Sequence, residues 1–140
     1  MAEAYVNRAE AYIRTAIKGG DASLLQKALD DLNALRVRRF IAGAPNAVVS
    51  LASLGNDPGQ VLQFCLDERR REFSFEELRW FDLRRYGMPS ITHTFNPNEP
   101  FNTYPGQPIE TYTLPPGNNN YVLKIPQSAL VANPALVQNP

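Results

Sequence analysis

The sequence is short of the residues that build compact reactive sites. Its 140 residues include a single cysteine, Cys65, a single histidine, His93, and a single tryptophan, Trp80. One cysteine excludes an internal disulfide, and one cysteine with one histidine excludes the usual Cys/His zinc centres. Charge of either sign is not in excess, because 14 basic side chains balance 14 acidic ones. A neutral chain lacks the electrostatic footprint of a non-specific nucleic-acid or anionic-lipid binder. No apolar run approaches the roughly 20 residues of a membrane-spanning helix. The opening Met-Ala-Glu-Ala-Tyr has neither the basic nor the apolar stretch of a signal peptide.

The chain does carry 44% apolar residues, enough for a sizeable core. The remaining charge is unevenly placed. Residues 1–89 hold all but three of the charged side chains, and residues 90–140 hold nine of the twelve prolines. Two parts are therefore expected: a helical scaffold over 1–89 and a Pro-rich, irregular tail over 90–140.

Residues 3–18 read as a helix. Tyr5, Ala9, Tyr12 and Ala16 form its apolar stripe, and Glu3, Asn7, Glu10, Arg14 and Lys18 form a polar stripe opposite. Gly19-Gly20 ends it. Asp21 is placed to cap a second helix over 22–40, whose apolar face is Leu25, Ala28, Leu29, Leu32 and Leu35. The two are expected to pack antiparallel. A connector follows, with a short helix expected within Ala47–Leu54. Asp57-Pro58 marks a third helix start, running to about Phe75, and a fourth is expected over 76–86 before Gly87. Strands are expected at Ile91–Phe95, Ile109–Leu114 and Tyr121–Ile125, the last two joined as a hairpin through Pro-Pro-Gly-Asn-Asn-Asn and lying on the helices. Turns and irregular chain complete the tail.

Residues 67–87 are the densest in charge, with six arginines and six acids. That balance argues against a nucleic-acid patch. Arginines three or four positions from each acid keep the carboxylates ionised, which suits ion pairing better than acid–base catalysis. Charges that fall on an apolar helix face must be paired when buried. Arg69, Glu72, Arg79 and Asp82 are therefore expected to form an inter-helix ion-pair network, with Trp80 and Phe81 packed around it. No catalytic residue, metal ligand or cofactor site is expected.

Four blocks in order are similar to the SusD/RagB family of outer-membrane nutrient-binding lipoproteins of Bacteroidetes. They are Arg8-Ala9-Glu10-Ala11-Tyr12, then Ala28 to Arg36 with its Leu-Asn-x-x-Arg ending. Next come Asp67 to Phe73 with Arg79 to Gly87, and Tyr121 to Ser128 with Asn133-Pro134 and Gln138-Asn139-Pro140. The sequence departs from the family pattern at Glu77, where glycine is common, at Leu78, and at Ala129-Leu130.

The resemblance implies a mainly α fold of TPR-like antiparallel helix pairs and a non-catalytic role in glycan or nutrient binding. It implies a SusC-like TonB-dependent transporter as partner, and a surface location through a lipid anchor that this chain does not carry. It also implies that the chain is a C-terminal segment of a longer protein. A free-standing TPR-like module that binds a peptide is the competing reading. The resemblance assigns no binding residue. By residue type alone, Phe101, Asn102 and Tyr104 could present an aromatic platform with adjacent polar groups to a sugar, as could Tyr112 and Asn118 to Asn120, although pinning the tail to the helices is the more ordinary role for such aromatics.

Overall fold

A computed structural model of the chain describes residues 1–96 and 108–139. It is mainly α-helical, with one small antiparallel sheet. The chain divides into two compact units, Met1–Glu77 and Leu78–Pro140.

The first unit contains α1 (Ala2–Gly19), α2 (Ser23–Arg39) and α3 (Pro58–Glu72). Gly20 closes α1 in the left-handed conformation (φ 74°), returning its N–H to the Ala16 carbonyl. That conformation is open to glycine at little cost. Helix α2 begins one residue later than expected, so Asp21 stands one position before its N-cap, Ala22. The Asp21 carboxylate accepts from the Ser23 N–H at 3.0 Å and the Ser23 hydroxyl at 2.6 Å. Those bonds hold its pKa below the usual value. Arg8, in the first half of α1, forks onto Asp31 in the middle of α2 at 2.8 and 2.6 Å. With so short a turn between them, that pairing sets the two helices antiparallel. Asp57 caps α3 through the Gly59 N–H at 2.7 Å, with Pro58 at the first helical position. One hairpin with a third helix against it does not amount to a TPR-like array.

Burial is led by Val6, Ala9, Ile13 and Ala16 of α1, by Leu25, Ala28, Leu29 and Leu32 of α2, and by Val61 and Cys65 of α3. Tyr5 and Tyr12 are only half-buried. The polar stripe of α1 is not solvated throughout. Glu10 is 3% exposed, held by Arg14 at 2.7 Å, and Asn7 accepts from Arg69 of α3 at 2.7 Å. The cause is on α3: Arg69 is buried on the face that includes Val61 and Cys65. A buried guanidinium requires polar partners from whatever packs against it.

Between α2 and α3 only a 3-10 turn at Ala52–Leu54 is regular. Helix α3 stops at Glu72, three residues sooner than expected, because residues 73–78 fold as a tight turn. Phe75 (φ 67°) and Glu77 (φ 59°) both adopt the left-handed conformation. A side chain there costs about 1–2 kcal/mol. Glu77→Gly is expected to stabilise the chain by about 0.5–1 kcal/mol, after the added freedom of the unfolded chain is counted. Urea denaturation measures this, and a destabilised variant would exclude the left-handed backbone.

The second unit holds α4 (Arg79–Arg85), β1 (Ile91–Phe95), β2 (Glu110–Leu114) and α5 (Gln127–Ala132). Strand β1 pairs antiparallel with β2, with Ile91 opposite Leu114 and His93 opposite Tyr112. This corrects the expected partner of β2, the segment 121–125. Pro115 and Pro116 have no N–H to donate. Gly117 then turns the chain (φ 65°), and the Asn118 side chain accepts from the Asn120 N–H at 2.8 Å. The result is a 3-10 turn at Asn119–Tyr121, not a strand. Tyr121 is fully buried. Its ring stacks on Trp80 with centroids 5.0 Å apart, and its hydroxyl donates to the Pro89 carbonyl. Beyond α5, Gln138 brackets the backbone of Ile125, accepting from its N–H at 2.7 Å and donating to its carbonyl at 3.0 Å. Asn139 donates to the Leu123 carbonyl at 2.8 Å.

Candidate functional site

The site is built where the end of α2, the connector after it and the face of α3 meet. Its pivot is Arg36, which is 8% exposed. Helical spacing sets Phe40 one turn beyond Arg36, and Phe64 one turn before Glu68. The Arg36 guanidinium lies over both rings, 4.7 Å from the centroid of Phe40 and 5.3 Å from that of Phe64. Each such contact is worth about 0.5–2 kcal/mol. The same guanidinium donates to Glu68 Oε1 at 2.5 Å, to the Asn46 carbonyl at 2.5 Å and to the Ala47 carbonyl at 3.3 Å. Asn33 adds a two-way bond to the backbone of Val49, at 2.9 and 3.0 Å. The connector is therefore tied to α2 by Asn33 and Arg36, the polar members of the Leu-Asn-x-x-Arg block.

Two further ion pairs border the site. Arg71 reaches Glu68 Oε1 at 2.6 Å. Arg39 forks onto Glu72 at 3.0 and 2.5 Å. Hydrogen bonding to Arg39 holds the Glu72 carboxyl below the usual glutamate range, and the same bonding raises Arg39. Between these pairs lies a cleft of about 770 Å³. Three arginines against two glutamates leave it one positive charge net. Both carboxylates are arginine-bound, which favours their ionised forms and disfavours proton transfer.

Glu72 was expected in a network with Arg69, Arg79 and Asp82. Its partner is Arg39 of α2, while Arg69 donates to Asn7 of α1. In the second unit Asp82 is buried and paired with Arg85 at 3.4 Å, and Arg79 is exposed. Trp80 is half-buried, with its indole N–H lacking an acceptor among the described residues. Phe81, expected to pack inside, is 61% exposed. The short α4 buries Asp82 and Leu83 instead. Phe101, Asn102 and Tyr104 lie outside the described residues. Tyr112 is exposed on β2, and Asn118 serves as the turn cap described above. Sequence reasoning missed Arg36, Phe40, Asn46, Phe64 and Arg71 as a group. The Arg36–Phe40 and Phe64–Glu68 spacings were the available signal.

Cys65 is buried, and burial pushes its thiol up to about 12. It is not a nucleophile at neutral pH. No group of residues suited to a metal ion occurs among the described residues. No described helix is long and apolar enough to cross a membrane.

The family model described as the SusD family matches residues 1–140, the whole chain. No curated protein and no solved structure matches it.

Proposed function

From the premise that this chain belongs to the SusD family, whose members are binding proteins of nutrient uptake, we propose that it serves a cell-surface glycan-binding protein of the outer membrane. In this reading a lipid anchor holds the protein at the surface, and a SusC-like TonB-dependent transporter receives the captured nutrient. The role is binding without chemistry. The observation that carries the reading is the family match over the whole chain. The arginine-bound state of the cleft carboxylates agrees with it, since neither is left to act as an acid or base.

The test is purification from detergent-solubilised membranes of the source cells, using antibody against this chain. The expected result is an outer-membrane complex containing a TonB-dependent transporter. Recovery from the soluble fraction with a peptide-bearing partner and no transporter would overturn the reading in favour of a free-standing helical module.

A further inference from the structure

We propose that the cleft between α2 and α3 is itself a ligand site, and that its ligand is an anionic sugar, one whose ring carries a carboxylate or sulfate. This rests on the glycan-binding reading above and goes further by naming a place and a charge. The volume, about 770 Å³, lies within the range of small-molecule sites and has room for two pyranose rings. A lone inorganic anion would leave most of it empty.

Two kinds of surface converge there. Phe40 and Phe64 are half-buried, and each offers the guanidinium of Arg36 one face of its ring. The other parts of these rings supply apolar surface for the C–H face of a sugar. Arg39 and Arg71 supply charge. Their side chains are 62% and 57% exposed, and so are accessible from solvent. Arg71 places only Nη1 on Glu68, and Arg39 only Nε and Nη2 on Glu72. A guanidinium has five N–H donors, so both retain donors directed to no group among the described residues. The glutamates do not repel an incoming anion strongly, because each is already neutralised by its arginine. Charge-assisted bonds from a fork to a carboxylate or sulfate are about twice as strong as neutral ones. A neutral sugar would use the rings and forgo that gain.

The test is titration of the 140-residue chain with digalacturonic acid and with its neutral counterpart galactobiose, followed by amide and arginine side-chain NMR. Digalacturonic acid is expected to shift the resonances of Phe40, Phe64 and Arg71, with affinity at least about tenfold above galactobiose. A sulfated galactobiose distinguishes the two anionic groups and is expected to compete for the same resonances. Arg71→Gln is expected to weaken digalacturonic acid binding at least about tenfold while leaving the urea midpoint in place, since an exposed pair three residues apart contributes little to stability. Three results would overturn the proposal: no shift with either acidic sugar, equal affinity for galactobiose, or equal affinity for an acidic tetrapeptide. If the cleft fails while a TonB-dependent transporter is still recovered with the protein, the uptake role stands and only this site falls.

Discussion

Arg36→Ala is expected to destabilise the first unit by about 3 kcal/mol. The change removes the partner of Glu68, the donors to the Asn46 and Ala47 carbonyls, and the cation shared by Phe40 and Phe64. Breaking a buried pair from one side costs about 3–5 kcal/mol. Glu68 keeps Arg71, which places the estimate at the low end. Arg36→Lys separates the contributions. Lysine retains charge toward Glu68 but cannot fork between the acid and two carbonyls, so about half of the loss should return. Circular dichroism at 222 nm against urea measures both. A loss under about 0.5 kcal/mol for alanine would show that the connector is held by something other than this guanidinium.

Tyr121→Ala is expected to cost the second unit about 3–5 kcal/mol, the usual range for removing a buried aromatic ring. Tyr121→Phe keeps the stack on Trp80 and removes only the bond to the Pro89 carbonyl, for about 1 kcal/mol. The readout is specific, because Trp80 is the single tryptophan of the chain. Its emission should shift to the red and become quenchable by iodide in Tyr121→Ala, and remain close to the parent in Tyr121→Phe. Unchanged emission in the alanine variant would mean that the ring does not cover Trp80.

The first two helices and the start of α3 were legible because their information is local. Apolar residues recur at three and four, glycine closes α1, and Asp57-Pro58 opens α3. The chain from Phe73 to Leu78 was not legible. Left-handed turns are ordinarily flagged by glycine, and here Phe75 and Glu77 occupy them. Side-chain partners were harder still. Asn7 reads as an ordinary polar position until Arg69, far away in sequence, is brought against it. The β pairing failed for a related reason. A short stretch between two candidate strands favoured the near partner, whereas Pro115-Pro116 and the Asn118 cap turn the chain into the Trp80 stack. The cleft draws on α2, the connector and α3, so no single window of sequence contains it.

Cys65 gives this architecture an internal clock. The thiol sits in the α3 face beside Arg69, with Glu10 and Arg14 of α1 close enough to bear on its charge. A reagent that needs thiolate can reach it only when α3 lifts from α1. Under native conditions its labelling rate therefore counts openings of the first unit, and comparison with an unfolded peptide converts that rate into an opening equilibrium. With no second thiol in the chain to blur the signal, the fraction of molecules open can be followed with no engineered probe.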